Sequence, residues 1–160
     1  MSTNLTATSV ALDIIVDAAQ RTAFETFTTG IGSWWPPEHH ILEGTLDKMV
    51  FEPKVGGHVY DVATDGSECR WSRVLAYEPP ARVVFSWDIS PSWQLETDPA
   101  KTSEIEVRFV ALDADTTRVE LEHRHLDRHG DGWEGLRDMI GTQAGWGSTL
   151  RAFAERLTSG

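Results

Sequence analysis

The chain has 160 residues, of which 40% are apolar and 24% charged, with seven Trp. That is chain enough for one core and apolar surface enough to fill it, which excludes disordered, collagenous and coiled-coil descriptions. Fourteen Lys and Arg against 25 Asp and Glu give a formal charge of −11 at pH 7, and the positive residues are scattered, so neither a phosphate backbone nor an anionic membrane surface is an expected partner.

Cys69 is the only cysteine, which rules out an intrachain disulfide and a thiolate zinc cluster. The first 20 residues lack a charged segment followed by an apolar one, and no window approaches the roughly 18 apolar residues of a membrane span. A cytoplasmic location is therefore expected, with residues 1–160 forming one domain.

In chain order, Val10, Leu12, Ile14 and Val16 alternate with their neighbours at the period of a strand with one buried face. Asp17 is placed to cap a short helix carrying Ala23, Phe24 and Phe27, which Gly30 and Gly32 interrupt. Residues 33–43 contain Pro36-Pro37 and read as a loop or a broken second helix. Strands are predicted over 45–52, 57–63, 68–77, 82–88, 103–112 and 117–125, separated by turn-forming Pro, Gly and Asp. Alternation is cleanest in the last two, where Ile105, Val107, Phe109, Val119, Leu121, His123 and His125 fall on one face and charged residues on the other. Residues 90–102 read as a long connection. Trp133, Leu136, Ile140, Trp146, Leu150, Phe153 and Leu157 then recur at helical spacing. Asp131 is placed to cap this helix, although the glycines at 141, 145 and 147 move its start towards Thr142.

One amphipathic helix cannot cover both faces of a seven-stranded sheet, so the sheet must curl around it. The expected fold is α+β, a curved antiparallel seven-stranded sheet around a long C-terminal helix, with short helices after the first strand. Such an arrangement leaves a concave apolar space of the type that takes small molecules.

The motifs Phe24-x-x-Phe27, Trp34-Trp35-Pro36, Phe51-Glu52-Pro53-x-x-Gly56-Gly57, Asp65-Gly66, Glu78-Pro79-Pro80-x-Arg82-x-Val84-Phe85-Ser86-Trp87 and Gly145-Trp146 before Leu150 and Phe153 occur in this order. Together they resemble the bacterial branch of the SRPBCC (START-like, helix-grip) superfamily that is homologous to the activator of heat-shock-protein-90 ATPase. The stretch from Leu121 to Arg128 with Gly145-Trp146 is also similar to superfamily members that confer enediyne self-resistance. The resemblance implies a pocket for a hydrophobic or aromatic ligand between sheet and last helix. It implies no single reaction, because one fold hosts many functions.

His123 and His125, two apart on a predicted strand, are expected on the inner face about 6.6–7 Å apart. There they either present proton-transfer groups to a ligand or sit near the sheet edge bonded to a carboxylate such as Asp127. HxH with His129 is a zinc-compatible spacing, but the third ligand would come from a turn and no HExxH is present; no metal and no cofactor is expected. His39 and His40, in the Pro-rich loop, are read as facing water. The aromatic wall is assigned to Trp35, Trp71, Trp87, Phe109 and Trp146, with Trp35 as the gate beside the prolines. Cys69 shares parity with Trp71 and is expected to be buried and inert.

The functional expectation is a monomeric or homodimeric protein that binds a hydrophobic or aromatic, polyketide-like molecule, in natural-product resistance or biosynthesis. The alternatives are a cyclase or hydrolase using His123 or His125 as general acid/base, and a chaperone-interacting module.

Overall fold

The computed structural model describes residues 3–5, 8–36 and 39–159. Pro37 and Glu38 of the predicted loop, and residues 1, 2, 6, 7 and 160 of the predicted domain, lie outside the described residues.

The strands are β1 (Thr3–Leu5), β2 (Val10–Val16), β3 (Leu46–Phe51), β4 (His58–Ala63), β5 (Glu68–Glu78), β6 (Arg82–Trp87), β7 (Ser103–Asp113) and β8 (Thr116–Arg124). The helices are α1 (Gln20–Phe27), α2 (Trp133–Ile140) and α3 (Ser148–Ser159). All strand pairs are antiparallel, in the order β1-β2-β8-β7-β6-β5-β4-β3. The seven predicted strands are β2 to β8, and the short β1 is an addition at the β2 edge.

The sheet bends because its ladders are interrupted. Register shifts occur between Val59 and Tyr60 of β4 and between Val74 and Ala76 of β5, and each extra residue kinks and twists its strand. The curved sheet holds α3, whose buried Leu150 and Phe153 face the core together with Phe24 and Phe27 of α1. This is the helix-grip arrangement expected from the sequence.

Two predicted caps are not made. α1 begins at Gln20 with Ala19 at the cap position, and α2 follows Gly132; neither has a side-chain cap bond. The predicted long C-terminal helix is interrupted after Ile140 and resumes at Ser148, with a wider π-type turn over residues 143–147. Gly145 explains the interruption. Its φ/ψ of −90° and −120° is not helical, and a Cβ there would lie 2.4 Å from the Ile140 carbonyl oxygen.

The outer sheet face is ionic. Arg82 of β6 and Arg124 of β8, on the strands flanking β7, both bond Glu106 of β7, the latter at 2.9 Å. Burial alone would raise the Glu106 carboxyl, but the guanidiniums of Arg82, Arg108 and Arg124 outweigh it and hold the group below its ordinary value.

Aromatic residues divide the core in two. At one end Phe27 packs on Phe85, Phe109 and Phe153 with ring centroids 5.2–6.3 Å apart, and this end is filled. At the other end Trp35, Trp71, Trp87 and Trp146 meet around His123, and the packing there opens into a cavity.

Candidate functional site

The cavity has a volume of about 500 Å³ and is lined by Trp35, His39, His40, Ile41, Trp87, Ile89, Trp93, Met139, Ile140, Gly145, Trp146 and Thr149. Four indoles, five aliphatic or small residues, two imidazoles and one threonine make a wall that is apolar with a few polar points, the composition of a small-molecule site.

Local sequence places each indole. Trp87 ends β6, and Trp146 is turned inward by the backbone break at Gly145. Trp35 donates its Nε1–H to the His39 carbonyl at 3.2 Å and packs edge-on against Trp146. It is buried, so it forms wall and not the predicted gate. The mouth belongs to Trp93 and Met139, which are 38% and 53% exposed. Trp93 rides a tight loop in the predicted connection, closed by the Ser90 N–H on the Gln94 carbonyl at 2.7 Å and by an Ile89–Leu95 bridge. Arg73 of β5 anchors the base of that loop by donating to both carboxylate oxygens of Asp88 at 3.0 Å.

His123 and His125 do not form a pair on the inner face. β8 ends at Arg124, and His125 takes a left-handed conformation with φ 62°, which removes it from the strand's alternation. It is half-buried and absent from the cavity wall. His123 is inside and fully buried, but behind Trp87 and Trp146. Both its nitrogens are engaged. Trp146 Nε1 lies 3.1 Å from Nδ1, and Ser103 Oγ lies 2.6 Å from Nε2. Ser103 Oγ is also 2.7 Å from His129 Nε2. An indole nitrogen can only donate, so His123 Nδ1 accepts, Nε2–H donates to Ser103, and the Ser103 hydroxyl donates to His129. Burial, and secondarily His129, holds His123 well below the usual histidine range; burial also lowers His129, against the opposing carboxylates of Glu96 and Asp88. Both are neutral structural groups. Among the described residues no three or more His, Cys, Asp or Glu side chains are arranged to hold a metal ion.

The imidazoles that do reach the cavity are His39 and His40, contrary to their reading as solvent-facing. Thr149 Oγ1 donates to the Gly145 carbonyl at 3.1 Å and so accepts from His39 Nδ1 at 3.0 Å. His40 Nδ1 lies 2.7 Å from Asp61 Oδ2, with the two side chains 8% and 1% exposed. These bonds pin the Pro-rich segment to α3 on one side and to β4 on the other. Asp61 was legible as an anomaly, since it shares inward parity with Val59 and Ala63 on a predicted strand. A charged side chain in a core position is the signal of a buried pair.

The remaining predicted residues lie deeper. Trp71 stands behind Trp35 and Trp87, at 5.4 and 5.8 Å between ring centroids. Phe109 belongs to the filled end, 5.2 Å from Phe24. Neither contributes to the cavity surface. Cys69 is buried opposite Asp61 across the β4–β5 ladder, and its thiol is pushed up to about 11, by burial first and by the Asp61 charge second.

No helix among the described residues is long and apolar enough to cross a membrane. No curated protein matches the chain. Among solved structures, one described as an anthrahydroquino-γ-pyrone synthase, Txn09, is 38% identical, covers 92% of this chain and 96% of its own, and superposes with a TM-score of 0.66. CalC from Micromonospora echinospora, described as a self-sacrificing resistance protein, is 29% identical over 95% of each chain with a TM-score of 0.67. Ms6760 from Mycobacterium smegmatis, at 16% identity and a TM-score of 0.69 over 100% of this chain and 98% of its own, shares the fold. The model of the family described as Activator of Hsp90 ATPase homolog 1-like protein matches residues 17–158. With nearly every described element inside that span, the chain belongs to the Activator of Hsp90 ATPase homolog 1-like family.

Proposed function

We propose that this protein binds one planar aromatic molecule of the polyketide class in the cavity between the curved sheet, the kinked C-terminal segment and the Trp93 loop. The observation that carries this reading is the wall itself. Trp35, Trp87, Trp93 and Trp146 surround about 500 Å³, a volume suited to a drug-sized ligand. Indole faces stack on fused rings, and such contacts contribute roughly 0.5–1.5 kcal/mol each beyond the area they bury. The descriptions of Txn09 as a pyrone synthase and of CalC as a resistance protein support a natural-product ligand. A cytoplasmic location, a single ligand-binding domain over residues 1–160 and a monomeric or homodimeric state accompany the proposal.

General acid/base work by His123 or His125 is not part of it. The first is sealed behind two indoles and the second lies off the strand. Among the described residues no surface feature specifically favours docking on a chaperone.

The test is titration of the intrinsic tryptophan fluorescence with a hydroxyanthraquinone such as alizarin. The expected result is saturable quenching with one site per chain, abolished by Ile89→Trp, which fills the cavity. Quenching that never saturates, or that is identical in the filled variant, would refute the proposal.

A further inference from the structure

The polar points of the cavity wall carry a further reading, which rests on the aromatic-ligand proposal above. We infer that His40, backed by Asp61, is a general base that takes a proton from an acidic O–H of the bound aromatic, a phenol or an enol. Asp61 is an aspartate in a core position of β4, 1% exposed, and its Oδ1 has no hydrogen-bond partner among the described residues. A carboxylate buried with one oxygen unpaired is expensive, and an apolar residue at the same place would stabilise the fold better. Its side-chain partner among the described residues comes from a separate segment of the chain and is the imidazole of His40, a cavity-lining residue.

The geometry then fixes the chemistry. The carboxylate accepts from His40 Nδ1–H, so the lone pair of the neutral ring is on Nε2, which bonds no described residue. An imidazole oriented through Nδ1 by a buried carboxylate, on a residue that lines the cavity, is the arrangement of a general base. In the step, the ligand O–H bond breaks and its proton forms the His40 Nε2–H bond. The electron pair stays on the ligand oxygen, and the new imidazolium lies between that oxyanion and Asp61. Negative charge thus flanks a positive ring on both sides, and no further reactant is needed. Asp61 acts through His40 and is a positioning residue.

The test uses alizarin, whose visible band moves on ionisation, at a pH where the free dye is neutral. The wild-type protein is expected to bind it with a phenolate spectrum. His40→Gln is expected to bind it and to lower the ratio of bound phenolate to bound phenol by about tenfold or more, the effect of one unit of pKa. Asp61→Asn retains an acceptor for Nδ1–H but not the charge, and is expected to move the spectrum in the same direction with dye affinity retained. In the wild type, nitrogen NMR of the imidazoles is expected to show His40 Nε2 becoming protonated as dye is added, a readout independent of whether a variant folds. Dye bound as neutral phenol by the wild type, or as undiminished phenolate by His40→Gln, overturns this inference alone. Absence of saturable binding overturns the aromatic-ligand reading, and this inference with it.

Discussion

His123 Nδ1 accepts a hydrogen bond from Trp146 Nε1 at 3.1 Å, and that bond ties a cavity-wall indole to the middle of the sheet. It also sets every proton behind it, since a lone pair at Nδ1 places the hydrogen on Nε2 and sends it to Ser103. Ser103→Ala removes the hydroxyl between two buried imidazoles and strands a donor on His123 and an acceptor on His129. Each stranded buried group costs about 1–3 kcal/mol. The variant is expected to unfold at a correspondingly lower urea concentration with the slope unchanged. A midpoint equal to the wild type's would show that the hydroxyl does not link the rings.

The same network gives stability a pH dependence. His123 and His129 are held below the usual histidine value by burial, so below about pH 6.5 the unfolded chain binds protons that the native state refuses. Stability then rises with pH and is lost as pH falls from about 7 towards 5, at up to about 1.4 kcal/mol per pH unit for each ring. Carboxylates with lowered values, such as Glu106, add their loss at lower pH, near and below the ordinary carboxylate range. Urea unfolding at several pH values from about 7 down to about 5, above the carboxylate range, measures the histidine part. A flat profile there would contradict the assignment of both rings as neutral.

Glycine positions in the C-terminal segment separate constraint from accident. A Cβ at Gly145 would stand 2.4, 2.6 and 2.7 Å from the O, Cα and C atoms of Ile140, all backbone, so Gly145→Ala must open the kink that turns Trp146 inward. It is expected to cost at least about 2 kcal/mol, in the range of forced overpacking, and to weaken alizarin binding. Gly135 lies within α2 with nothing within 4 Å of its Cβ position, and Gly135→Ala is expected to stabilise by about 0.4–1 kcal/mol through lost unfolded-state entropy. Thermal melts of the two variants should move in opposite directions.

These residues also show where sequence reading stops. Period-two alternation located β2 to β8 because each strand buries one face, and the aromatic motifs carried the family. The alternation failed at His125 because strand termination depends on one left-handed residue, which parity cannot register. His39 and His40 read as solvated because their partners, Thr149 and Asp61, are 110 and 21 residues away in the chain. The inward Asp61 was the local clue to that pairing. Trp71 and Phe109 are on the correct face, yet which core aromatics border a void depends on where packing stops, a tertiary property.

Cys69 is protected twice over, by burial and by its protonation state. A thiol pushed up to about 11 is about 0.1% thiolate at about pH 8, against roughly a quarter for an ordinary thiol near 8.5. Alkylation by iodoacetamide at that pH is therefore expected to be slower than in the urea-unfolded chain by about two-hundredfold, before occlusion is counted. Burial is the larger cause of the shift and Asp61 the smaller. Asp61→Asn should accordingly accelerate labelling far less than unfolding does. If the variant instead labels at the unfolded rate while its far-ultraviolet spectrum stays native, Asp61 holds β4 against β5 at this point, and its charge is not what protects the thiol.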